Sequence, residues 1–298
     1  MSAPSATPAP FVDASPTPSA EATPRPEPAT FDPASARATI ETFARQIGPR
    51  EATGAGFAAA ADEVQRRLSA LGYVVTRQQV PVPAGESWGV PVPSGDTVNV
   101  VATEPDADLS TPFLVVGAHL DTVPQAPGAV DNASGVAVML EVARMAALEP
   151  PPQPVVFVAF GAEEPRGPGD DLHHFGSQAF VAQLTPQQRD ALVGAIAIDS
   201  VGISDGVPIC SATGPTDVFA QAVRDAAQQA GVAVRGCENR TSDHWSFVRN
   251  GLDGVRVGLA GQAEYAEYHS AADTPAVVDD VRVAEAGEAV WAAVSRPW

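Results

Sequence analysis

The 298-residue chain contains no lysine: all 17 of its basic residues are arginines, set against 36 acids for a formal charge of -19. Such a balance repels a phosphate backbone, so no nucleic-acid partner is expected. Long apolar runs are missing too. Runs such as 113–118 and 155–160 fall far short of the roughly 20 residues that cross a bilayer, so no membrane-spanning segment is expected. Cysteine is scarce. Cys210 and Cys237 cannot build a disulfide framework, but an even pair permits one bridge in an oxidising compartment, and the sequence leaves that open. Apolar residues are plentiful at 45%, which a globular core requires. The excess of acid would be partly offset if some carboxylates held divalent metal.

Residues 1–33 form a separate kind of segment, with proline at 4, 8, 10, 16, 18, 24, 26, 28 and 33 and mostly Ser, Thr, Ala and Glu between. It reads as an extended, disordered linker, leaving 34–298 as one catalytic-size domain. Stalks of this kind often separate a secreted domain from a cell envelope. The expectation is therefore a secreted or envelope-anchored protein whose leader is absent from this sequence, with a cytoplasmic terminus the less favoured reading.

From Asp32 the pattern becomes helical to Ile47, and a second helix runs from Gly56 to Leu71. Strands are expected at 73–82, 97–102, 113–118, 155–160, 194–199, 207–211, 231–235 and 255–259, and helices at 134–147, 176–183, 215–230, 243–249 and 279–295. This alternation predicts a three-layer α/β/α sandwich around a mixed, mainly parallel sheet, in which ligands gather at the carboxyl ends of the strands.

Polar residues cluster at those ends. The strand 113–118 runs into His119-Leu-Asp121, the next loop carries Asp131-Asn132, strand 155–160 ends in Gly-Ala-Glu163-Glu164, strand 194–199 ends in Asp199-Ser200, and Tyr268-His269 precedes the last helix. Singly, each is explained by a solvated turn or a helix cap. Together they deliver imidazole and carboxylate, zinc's ordinary ligands where thiolate is not used, to one sheet edge. Two ions about 3.5–4 Å apart need a bridging carboxylate, and adjacent side chains such as Glu163 and Glu164 point apart, so one can bind metal while the other acts as a base.

From Ile47-Gly-Pro-Arg50 to Asp273-Thr274, the motifs resemble the co-catalytic di-zinc aminopeptidases of the secreted bacterial leucyl type, relatives of glutamate carboxypeptidase and glutaminyl cyclase. The resemblance implies a zinc exopeptidase-like fold and two Zn2+ per chain, one held by His119, Asp131 and Asp199 and the other by Asp131, Glu164 and His269. It further implies Glu163 as general base for a bridging water, Asp121 as the residue orienting His119, and Tyr268 as a donor to the oxyanion. The implied substrate is a peptide with a free N-terminus, and the implied state a monomer. Ser242-Asp243-His244 with Phe247 resembles a segment bordering the substrate pocket, or is simply a capped helix. The loop 165–175, with His173 and His174, is longer than the family pattern, and its histidines read as a rim or substrate contact rather than a third metal site. A glutaminyl cyclase-like acyltransferase and a catalytically inactive binding relative are the competing readings. Tyrosine before the last histidine, where a cyclase is expected to carry tryptophan, favours hydrolysis.

Overall fold

The computed structural model describes residue 1 and residues 28–298, so most of the segment expected as a linker lies outside the described residues. Its last part is attached to the body. Phe31 lies over Gly287, where a Cβ would meet its ring, and Arg144 donates to the Thr30 carbonyl at 2.7 Å. Asp32 accepts from the N–H groups of Ala34 and Ser35 at the start of α1 (Pro33–Glu41). The attached region therefore begins ahead of the boundary expected at residue 33.

The first helix does not run regularly to Ile47. It widens into a π-type turn at Thr42–Ile47, where the Gly48 N–H reaches back to the Phe43 carbonyl. There follow α2 (Ala55–Ala70), β1 (Val74–Val82), a small hairpin of β2 (Gly85–Ser87) and β3 (Val90–Val92), β4 (Gly95–Thr103), β5 (Phe113–His119) and α3 (Gly135–Leu148). Next come β6 (Val155–Phe160), α4 (Phe175–Gln183), α5 (Pro186–Ala191), β7 (Leu192–Asp199), β8 (Val207–Ser211) and α6 (Val218–Gln229). The chain closes with β9 (Val234–Glu238), α7 (His244–Val248), β10 (Gly254–Gly258) and α8 (Asp280–Val294).

Eight strands form one sheet in the order β1-β4-β6-β5-β7-β10-β8-β9. The centre is parallel from β6 through β5 and β7 to β10, while β1/β4, β4/β6 and β10/β8 are antiparallel. Alternate residues of β5 and β6 enter opposite cores. Leu114, Val116, Phe157 and Ala159 pack with α1, α2, α3, α6 and α8, whereas Phe113, Val115, Val156 and Val158 pack with Phe180 of α4 and Phe247 of α7. Burial on both faces explains why these strands are unbroken apolar runs. The architecture is the α/β/α sandwich that the alternation predicts.

The edge strand expected at 231–235 begins instead at Val234, because Gly231 at φ 86 and the Val232 N–H bond to the Ala227 carbonyl prolong the turn after α6. Cys210 and Cys237 are thereby paired across β8 and β9 and joined by a disulfide. Neither the β2–β3 hairpin nor α5 is announced by hydrophobic periodicity. Thr185 opens α5 with a reciprocal cap to Gln188.

Candidate metal centre

The parallel strands end together, and their last residues converge. His119 closes β5 and Asp199 closes β7, while Glu163 and Glu164 follow β6 across Gly161. Gly258 ends β10 at φ 142, where a Cβ would sit 1.8 Å from the Asp199 carbonyl oxygen, so only glycine lets the two strand ends approach. Asp131 lies in the irregular turn 129–134 ahead of α3, and His269 in the loop between β10 and α8.

Two triads result. His119 Nε2 is 3.1 Å from Asp131 Oδ1 and 3.5 Å from Asp199 Oδ1. His269 Nε2 is 3.0 Å from Asp131 Oδ2 and 3.3 Å from Glu164 Oε1. Asp131 thus offers one oxygen to each triad, and within each triad the ligand atoms lie within 4.8 Å of one another. All five side chains are buried. The donor set fits zinc: imidazole nitrogen and carboxylate oxygen, no thiolate, and carboxylates gathered where burial penalises charge. Glu164 Oε1 and His269 Nδ1 have no hydrogen-bond partner among the described residues.

The titration behaviour of the groups follows from this crowding. Burial pushes the Glu163 and Glu164 carboxyls above the ordinary range. Burial acts the same way on Asp131, but hydrogen bonds from His119 and His269 outweigh it and hold that carboxyl far below its usual value.

Neighbouring residues hold the centre in place. Both oxygens of Asp273 accept main-chain N–H groups, from Val130 at 2.7 Å and Asp131 at 3.1 Å, and Oδ1 also accepts the Tyr265 hydroxyl at 2.9 Å. Asp121, expected to orient His119, offers its main-chain carbonyl to Nδ1 at 3.2 Å, whereas its carboxylate is 3.7 Å from that nitrogen and accepts from the N–H groups of Glu163 and Glu164. Tyr268 stacks on the His269 ring at 3.7 Å between centroids. His174 Nε2 lies 3.1 Å from Glu163 Oε1, and His173 Nε2 lies 3.1 Å from the Gly167 carbonyl within its own loop. Neither histidine joins a metal-competent group among the described residues. The two oxygens of buried Asp243 have no hydrogen-bond partner among the described residues, while His244 Nε2 lies 2.8 Å from the Asn239 carbonyl and Phe247 belongs to the core.

Sequence reasoning missed two residues of the centre. Trp88, at the turn of the β2–β3 hairpin, has its ring 4.5 Å from that of His269. Arg256, central in β10, forms a 3.2 Å ion pair with Asp199. A lone arginine amid Gly-Val-x-Val-Gly was the available signal for the second.

Residues 99–294, which hold every ligand named above, match the model of peptidase family M28. The chain belongs to that family. It is 31% identical over 206 residues to the aminopeptidase YwaD of Bacillus subtilis, covering 66% of this chain and 44% of the relative. This M28 chain spans about half the length, or less, of the curated relatives it first matches. The fold overlays that of a zinc aminopeptidase from Bacillus subtilis with a TM-score of 0.78 at 19% identity, covering 90% of this chain and 95% of the other. A Fimbriiglobus ruber glutaminyl cyclase overlays with a TM-score of 0.76 at 22% identity, covering 93% and 99%.

Proposed function

We propose that this M28 chain is a zinc-dependent aminopeptidase that hydrolyses the first peptide bond of substrates with a free N-terminus. Two zinc ions would be held by His119, Asp131 and Asp199 and by Asp131, Glu164 and His269. The observation that carries this reading is that two buried triads share Asp131 while Glu163, buried beside them, belongs to neither. When bound, zinc polarises a scissile carbonyl and makes a water acidic enough to lose its proton near neutral pH.

The remaining work falls to the chain. Glu163 takes the proton at its carboxylate and returns it to the leaving amine, and burial that raises its carboxyl moves it toward the strength such a base needs. Asp121 fixes the direction of that side chain through the main chain. Tyr268 donates from its hydroxyl to the developing oxyanion. The neighbouring carboxylates favour a substrate ammonium over a neutral terminus. The Cys210–Cys237 disulfide supports an oxidising location, secreted or at the cell envelope.

The test is hydrolysis of a panel of aminoacyl anilides by the zinc-loaded chain, beside their N-acetylated counterparts and an N-terminal glutamine peptide. Cleavage restricted to free amino termini supports the reading. Cyclisation of the glutamine peptide without hydrolysis would replace it with the acyltransferase reading, and inertness toward all substrates would leave a binding relative.

A further inference from the structure

The two triads are not equally free to take a cation. Asp199 faces His119 with Oδ1, and that same oxygen accepts the Ser200 hydroxyl at 2.9 Å and pairs with an Arg256 Nη atom at 3.2 Å. The guanidinium is fixed: its other Nη atom donates to the Thr241 hydroxyl at 3.2 Å, and the side chain is buried within β10. The Glu164 side of the centre has the opposite character, since Glu164 Oε1 has no hydrogen-bond partner among the described residues and His269 Nε2 faces only carboxylates there.

We propose that Arg256 makes the two halves of the centre unequal, leaving the His119/Asp131/Asp199 site loosely and exchangeably occupied while the Asp131/Glu164/His269 site retains its ion. This rests on the zinc reading above. The reason is competition at the oxygen that faces His119. A dication that takes Asp199 Oδ1 shares it with two donors that the fold already aims at it, and on either oxygen of that carboxylate it sits near a fixed positive charge. At the second site the dication meets an oxygen whose one close polar neighbour among the described residues is His269, itself a ligand of that site. The chain therefore passes through a one-metal state as free zinc falls, with Asp199 held by arginine in place of the ion.

The experiment measures binding rather than turnover. The full oxidised chain is loaded with zinc, dialysed against metal-free buffer and assayed for zinc by atomic emission, and zinc is titrated calorimetrically into the metal-free chain. The wild-type chain should retain one ion and show two binding classes separated by about ten-fold or more. Arg256→Met should retain two, its weaker class tightened by about ten-fold or more. Ser200→Ala, which removes the other donor to the same oxygen, should shift the weaker class in the same direction by less, and carries the test if circular dichroism shows Arg256→Met unfolded. Glu164→Gln should lose the tighter class. Equal affinities in the wild-type chain, or a weaker class unchanged or lost in the folded arginine variant, overturn the inference while leaving a two-zinc centre standing. Absence of any zinc binding by the wild-type chain overturns the metal centre itself, and the inference with it.

Discussion

Asp121 Oδ1 accepts the main-chain N–H of Glu163 at 3.0 Å, and its Oδ2 does the same for Glu164 at the same distance. One buried carboxylate therefore sets the direction in which both glutamates leave β6. Asp121→Asn keeps the shape but turns an amide N–H toward one of these donors. Turnover and zinc affinity should each fall, by about 10- to 100-fold, as for other residues that support metal ligands from behind. Unchanged kinetics and unchanged zinc binding would remove the clamp from the mechanism.

Arg50 is fully buried and donates to the carbonyls of Leu120, Phe43, Pro127, Gly128 and Gly48 at 2.8–3.2 Å. Burial draws its pKa down to about 10. Arg50→Met strips those carbonyls of their donor inside the fold and should cost at least about 3 kcal/mol, lowering Tm by about 5 °C or more. Arg50→Lys should not restore it, because one ammonium cannot reproduce the fork. A melting curve within a degree or so of the wild type would show that water replaces the guanidinium at little cost.

Trp88 and Gly89, at φ 49 and 82, turn the β2–β3 hairpin. The indole is 47% exposed while its ring lies edge-on to His269 and Tyr268, so part of its surface is free to meet a substrate side chain. Trp88→Ala should raise KM for apolar first residues by about ten-fold, with zinc content unaltered and stability within about 0.5 kcal/mol. An effect confined to kcat would point instead to His269 being displaced.

These residues mark what the sequence does and does not disclose. His119 and Asp199 are legible because each ends an apolar strand, and the sandwich is legible because strands 113–118 and 155–160 are too apolar to face water on either side. Asp273 falls in the last of the motifs, but its task of anchoring the Asp131 turn has no local signature, since its partners are main-chain groups 142 and 143 positions away. Trp88 acts through a two-residue turn that no periodicity reveals. The register of β9, and with it the disulfide, depends on how far the turn after α6 extends, which hydrophobic pattern does not specify.

Asp243 is fully buried with no hydrogen-bond partner for either oxygen among the described residues, and burial pushes its carboxyl up to about 7 from an ordinary 3.8. A carboxyl raised on folding binds more protons in the native than in the unfolded state, so its stabilising contribution is lost as pH rises from about 4 toward 7. Metal-free Asp243→Asn has no such proton to lose. Its stability relative to the wild-type chain should therefore improve between pH 4.5 and pH 8, by about 1–3 kcal/mol, read by urea denaturation at the two values. A difference that does not change with pH would mean that the native carboxyl titrates in its ordinary range.

Glu163 and Glu164 are adjacent, almost the same in burial, and assigned opposite tasks, so each is the control for the other. Glu163→Gln keeps the size and hydrogen-bonding reach of the side chain but cannot take a proton, and Glu163 lies outside both triads. It should cut turnover by about 100- to 10,000-fold with zinc content unchanged. Glu164→Gln removes an anionic ligand from the triad with Asp131 and His269, whose oxygens and nitrogen face each other at 3.0–3.3 Å. That variant should lose zinc on dialysis and recover part of its activity when zinc is added, whereas the first should gain nothing. The pair of measurements separates chemistry from ligation because neither substitution alters the Asp121 clamp, which acts on main-chain N–H groups that both variants retain. If Glu163→Gln loses zinc while Glu164→Gln holds its full complement, the two roles are exchanged. If both turn over at the wild-type rate, neither carboxylate is base or ligand, and the hydrolase reading fails at its centre.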